Sequence, residues 1–239
     1  MKKYLKRGVK YSLHPHELGL CGPQGVGKGK LYQYLTTDKV SDAQLKKVLR
    51  EFIALAPYLK LIAESNKIAD WFDRRVFDAY WIGNSLLENV SSNDLADLVR
   101  SFANQGRMTA VAAEKIALRV HKRHRPHHSF HVFVVGSITG RVERGTIGQD
   151  LCRIGWGKIK LIRGDILVIR AKTLVKFRGK YLPKLGKEKL IEIKRDPLIL
   201  PRAKAGDTVS YHWGRAVEII PKETARRLEY WTSRTLKYL

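Results

Sequence analysis

The sequence predicts an α+β protein: a helical first half, then a small OB-like β-barrel that ends in a C-terminal helix. Three observations carry this. Apolar residues recur at spacings of three and four from residue 41 to about 120, short β-branched runs take over after Pro126, and a helical pattern returns after Pro221. At 239 residues the chain can form one large domain or two small ones. The change of period divides it into 1–125 and 126–239. A content of 44% hydrophobic and 28% charged residues is that of a globular chain, with no signature of disorder.

Taken in order, residues 1–40 read as irregular, because Gly, Pro and His crowd the stretch from His14 to Lys30. Ser41 or Asp42 caps a first helix, with Leu45, Val48, Leu49, Phe52 and Ile53 as its apolar face. Pro57 interrupts it and begins a second, which carries Leu59 and Ile62 and stops near Asn66. A third holds Val76, Phe77, Tyr80 and Trp81 and ends at Gly83-Asn84. Ser92 caps a fourth, facing inward through Leu95, Leu98, Val99 and Phe102, and an alanine-rich fifth covers about 109–120. Beyond Pro126, Phe130–Val135 reads as a strand. Further strands are expected at 153–162, 166–171, 189–193, 207–212 and 215–220, with Arg163-Gly164-Asp165 as a tight antiparallel turn. Pro221 opens a closing helix with Ala225, Leu228, Trp231 and Leu236 apolar. Several short strands with one terminal helix suggest a closed barrel.

Composition narrows the function classes. No apolar run reaches the ~18 residues of a membrane span, and the basic N-terminus lacks the apolar stretch of a signal peptide, so a cytoplasmic protein with no membrane partner is expected. Cys21 and Cys152 make no disulfide framework; in a reducing compartment they are free thiols or metal ligands. The 46 Lys and Arg against 22 Asp and Glu give a net charge of +24, which fits nucleic acid as an alternative partner. On that reading Arg119, Lys122, Arg123 and Arg125 of the run Arg119–His128 meet phosphates, and Trp156, Tyr211 and Trp213 stack on bases. The plainer reading is a lysine-rich surface scattered over helices and turns.

Gly22-Pro23-Gln24-Gly25-Val26-Gly27-Lys28 has the spacing of a phosphate-cradling loop. It lacks the preceding buried strand, and Gly29 stands where the magnesium-binding hydroxyl belongs, so no nucleotide is expected. The histidines are more informative. In an extended Pro126–His131 segment, His127, Ser129 and His131 share one side and His128 takes the other. Imidazoles at alternate positions can converge on zinc, iron or nickel. His14, His16 and Cys21 add donors from the first loop. The competing reading has these histidines bonded to backbone, with His121 and His124 merely solvated.

Cys152-Arg153-Ile154-Gly155-Trp156-Gly157-Lys158-Ile159, paired with Gly206-Asp207-Thr208-Val209-Ser210-Tyr211-His212-Trp213-Gly214-Arg215-Ala216, resembles the two ends of the HypC/HupF hydrogenase-assembly chaperones. The likeness starts at about residue 150, with extra residues around 176–200. It implies a small barrel whose Cys152 holds an iron fragment bearing cyanide and carbon monoxide, passed toward a hydrogenase large-subunit precursor, with His212 beside it. In that family the cysteine leads the chain; here a helical half precedes it. Arg153 is expected to lower the thiol pKa.

Over nearly its whole length the chain also resembles an uncharacterised prokaryotic family, a domain of unknown function. The signatures are Leu18–Pro23, Ala79–Asn84, Pro126–Phe133, Cys152–Gly157 and Gly206–Trp213. The resulting expectation is a non-catalytic metallocentre-assembly accessory protein that binds iron or another transition metal. Its candidate site is Cys152, His212, His127, His128, His131 and Cys21, and its partner is a client metalloprotein. The alternatives are a nucleic-acid-binding barrel and a metal-dependent enzyme with Glu17 as its base.

Overall fold

The computed structural model describes residues 5–25, 27, 29–142, 145–177 and 180–239; Val26 and Lys28 of the glycine-rich run lie outside them. Within that range the protein is a mixed α+β structure whose five strands close into a ring.

The first forty residues are not irregular. They hold α1 (Lys6–Glu17) and α2 (Lys30–Thr36). The helix α1 buries Gly8, Val9, Tyr11, Ser12, Leu13, Pro15 and His16, so most of its circumference faces protein and no polar stripe marks its period. The glycine-rich run follows a helix rather than a strand, and α2 begins only after Gly29.

The next helices lie close to their expected places. α3 (Asp42–Arg50) starts with a capping box: the Ser41 hydroxyl accepts from the Gln44 amide, and the Gln44 side chain accepts from the Ser41 amide. α4 (Leu55–Ser65) begins two residues before Pro57, which sits in the first turn, where its missing N–H costs nothing. Asp73 caps α5 (Arg74–Trp81), and Ser91 rather than Ser92 caps α6 (Ser92–Asn104). Thr109 caps α7 (Ala110–Ala117). Gly83 ends the α5 turn at φ +90°, and a Cβ there would lie 1.9 Å from Trp231 Cδ1. Only glycine fits.

After Pro126 the expected strand is absent. α8 (His128–Phe130) runs directly into a π-turn, His131–Val135, closed by Gly136 N–H donating to His131 C=O at 2.7 Å. All eight residues from His128 to Val135 are buried, and full burial removes the alternation that separates strand from helix. α9 (Thr146–Cys152) follows, so Cys152 ends a helix and does not enter a strand.

The sheet is built from β1 (Gly155–Arg163), β2 (Ile166–Phe177), β3 (Lys180–Lys194), β4 (Thr208–His212) and β5 (Arg215–Ile219), closed in the order β1-β2-β3-β5-β4. Its contacts are antiparallel except for the parallel closure between Lys194 and Arg215. Gly164-Asp165 makes the expected tight turn, with Arg163 paired to Ile166. The residues beyond the barrel pattern lengthen the β2–β3 hairpin as far as the Phe177–Lys180 pair. Gly155 and Gly157 are close-approach positions: a Cβ would lie 2.1 Å from the Tyr211 ring at the first and 2.6 Å from the Arg170 carbonyl oxygen at the second.

α10 (Lys222–Lys237) packs across the ring, burying Leu228 and Trp231. The largest apolar cluster joins both halves, from Leu5, Val9 and Phe77 to Ile154, Val217, Ile220 and Trp231. A second, including Ile159, Leu167, Ile169 and Val209, belongs to the sheet. No helix among the described residues is long and apolar enough to cross a membrane.

Candidate metal centre

Three element ends meet where the two halves join. His128 opens α8, Cys152 closes α9 and His212 closes β4. One ligand atom from each lies within 4.8 Å of the other two, and all three residues are buried. A tetrahedral ion with bonds of about 2.0–2.3 Å holds its ligand atoms about 3.3–3.6 Å apart, so closing on an ion asks for shifts of about 1 Å.

His212 is aimed by a proline. Pro15 has no N–H, so the Tyr11 carbonyl one turn earlier loses its helical donor. His212 Nδ1–H donates to that oxygen at 2.8 Å. The proton is thereby placed on Nδ1, and the buried Nε2 makes no hydrogen bond of good geometry; its neighbour is the Cys152 backbone, whose carbonyl His128 already occupies. His128 has both nitrogens engaged: Nε2–H donates to the Cys152 carbonyl at 2.8 Å, and Nδ1 accepts from the Tyr80 hydroxyl at 3.0 Å. Whichever nitrogen turns to a metal must exchange its present partner. The Trp81 ring covers both imidazoles, with centroids 4.7 Å from His128 and 5.9 Å from His212.

Burial governs the protonation of the set. It pushes His212 down to about 4 and His128 well below the usual imidazole range, with His212 and His131 adding to the second shift. Both are neutral at pH 7, the ligating form. Burial also pushes the Cys152 thiol well up, and the Cys21 thiol adds to that shift. The expectation that Arg153 lowers it does not hold. Arg153 is itself buried and spends its charge on Asp150, with Nε donating at 2.7 Å, while Nη2 donates to the Lys172 carbonyl at 2.6 Å. Asp150 also accepts from the Leu174 amide at 3.0 Å, so the pair locks the end of α9 against β2. A metal would therefore displace the thiol proton itself. A sulfur and two imidazoles suit zinc, iron or nickel, and three protein ligands leave a coordination position open.

The other candidates lie elsewhere. His127 caps α8, its Nδ1 accepting from the Ser129 amide at 3.2 Å, and its ring stacks on Trp231. His131 bonds to Tyr58 at 3.3 Å and, with Cys21 and Cys152, lines a neighbouring cavity of about 380 Å³. His127 stays outside the turn as its extended N-cap and goes to Trp231, while His131, inside it, goes to Tyr58, so the side they would share in a strand is not kept. His124 is buried rather than solvated, its Nδ1 accepting from the His121 amide at 3.0 Å. His16 packs on Phe52, and Glu17 faces His14 at 3.7 Å, away from the cluster.

In the basic run, Arg119, Lys122 and Arg123 are exposed, whereas Arg125 binds Glu88 at 3.0 Å and two nearby carbonyls. The aromatic rings do not form an open stacking face: Tyr211 is buried, Trp156 lies beneath Arg153, and Trp213 packs beside Cys152 and Leu174.

Tyr11, Pro15 and Tyr80 set the site, and sequence reasoning passed over them. Pro15, four residues after Tyr11, was the available sign of a free carbonyl.

The family of unknown function DUF6390 matches residues 6–239, and the chain belongs to it. No curated protein matches the chain. No solved structure matches it either.

Proposed function

We propose that this member of the family handles a transition metal as an accessory protein, holding iron or another soft divalent ion at His128, Cys152 and His212 for a client metalloprotein. The observation that carries the reading is the buried convergence of a thiol and two neutral imidazoles, one of them with an unpartnered, pre-aimed Nε2. A buried lone pair without a donor is costly to keep. The cost is removed when an ion takes it.

An assembly role suits this site better than hydrolysis. No carboxylate joins the cluster among the described residues, and Glu17 is turned to His14, so a metal-bound water would have no adjacent base. The likeness of the Cys152 and His212 segments to the HypC/HupF chaperones points the same way, and a hydrogenase large-subunit precursor is the client it suggests. The nucleic-acid reading draws chiefly on the charge, because Tyr211 is buried and Trp156 and Trp213 are half-buried against the core.

Cobalt(II) titration of anaerobic, reduced protein tests this. Wild type is expected to show a thiolate-to-metal charge-transfer band with the visible spectrum of a tetrahedral site. Cys152→Ala should lose that band, and His212→Ala should bind at least tenfold more weakly. An unchanged spectrum and affinity in Cys152→Ala would end the proposal. The client step is read by metal transfer from loaded protein to the metal-free precursor.

A further inference from the structure

The cavity beside the cluster has walls of its own. Its volume, about 380 Å³, is in the range of small-molecule sites. The π-turn residues Val132–Val135, with Ile116 and Ile138, form its apolar wall. Ser137, Thr139, Gln149 and the two thiols also line it, but its charged groups are all cationic. Lys115, exposed on α7, and Arg119, exposed just past its C-cap, contribute cations to the lining and form no side-chain hydrogen bond or ion pair among the described residues. His131 adds a donor. The Tyr58 hydroxyl has His131 Nδ1 as its one acceptor among the described residues, so its proton goes there and the imidazole proton sits on Nε2, which has no partner. No described lining residue is acidic.

We infer that this cavity binds a medium-chain carboxylate, its hydrocarbon chain against the π-turn and its charge matched to Lys115, Arg119 and the His131 N–H. The inference stands apart from the metal reading, although Cys152 belongs to both the cavity wall and the cluster.

Calorimetric titration at low ionic strength tests it, with octanoate, octanol and octylammonium as probes on the full-length protein. Octanoate should bind saturably and at least tenfold more tightly than the other two. Lys115→Ala combined with Arg119→Ala should bring octanoate to the level of octanol and leave octanol unchanged. Ile116→Trp fills the cavity and should abolish binding; Ala112→Leu serves if that variant does not fold, with circular dichroism as the check. Absence of saturable octanoate binding by wild type overturns the inference. So does equal affinity for octanol, or binding that the filling variant leaves intact. Octanoate binding should persist in chelator-treated protein and in His212→Ala, whose side chain belongs to the cluster and not to the cavity wall, so failure of the metal site and failure of the cavity are read separately.

Discussion

Lowering the pH from 7 to 5.5 is expected to destabilise the fold by about 1.2 kcal/mol for each of His124, His127 and His131. Burial, the largest cause in every case, holds these imidazoles at about 4, 3 and 4 in the folded protein, against 6.5 when exposed. Between those limits the unfolded chain binds protons that the folded chain refuses. Stability is therefore complete above pH 6.5 and falls as the pH drops toward 4. Over this interval the three together remove about 3.7 kcal/mol. His128 and His212 shift in the same direction. Set against a usual stability of about 5–15 kcal/mol, that is a large fraction of the margin, lost before the carboxylates titrate. The Glu88 and Asp73 carboxyls, whose pKa values are lowered through their arginine partners, lose their contribution only below that interval. Urea unfolding at half-unit pH steps, followed by tryptophan fluorescence, gives the midpoint directly. His124→Phe should shrink the loss by about 1.2 kcal/mol, because one proton no longer discriminates between the states. A midpoint that stays constant from pH 7 to 5.5 would show that these rings are not held neutral by burial.

Two substitutions probe how the site is held. Pro15→Ala restores an N–H that competes with His212 for the Tyr11 carbonyl; zinc affinity, measured against a competing chelator, should fall about 10- to 100-fold while the melting temperature holds or rises. Unchanged affinity would mean that the freed carbonyl does not orient the ring. Gly83→Ala combines a φ of +90° with a Cβ placed 1.9 Å from Trp231, and thermal melting should report a loss of about 3 kcal/mol or more. A melting temperature near that of wild type would show that α10 can move aside at no cost.

The helices α3 to α7 were legible because each shows one apolar face to the core and one to solvent, and because Ser41 marks the start of α3; the α6 start was read at Ser92, one residue past its cap, and the Thr109 cap was not read. The strands showed through their turns, above all Gly164-Asp165. What hid the rest was burial on several sides. α1 carries Gly8 beneath the Phe77 ring and Pro15 near its end, two residues that read as breaks. Phe130–Val135 is β-branched and aromatic, and enclosed on every side it takes a helical turn that propensity argues against. That one difference regroups the histidines. His127, His128 and His131 were visible as donors, but the helical turn sends one to a cap, one to the cluster and one to the cavity. Cys152 and His212 stood out through the resemblance of their segments to the HypC/HupF chaperones. Tyr80, the hydroxyl behind His128, looked only like another core ring.

The hydrogen bond from His212 to Tyr11 spans 201 positions of sequence. A contact of that separation forms late in folding, because the intervening chain must first be gathered. During synthesis, α1 leaves the ribosome long before β4 exists. Until β4 docks, the Tyr11 carbonyl has no imidazole to hold, and His128 and Cys152 have no third companion. A growing chain thus presents scattered donors, and only a finished one presents a chelate. On the proposed metal reading that order would act as a safeguard, because the three donors come within 4.8 Å of one another only once β4 has docked.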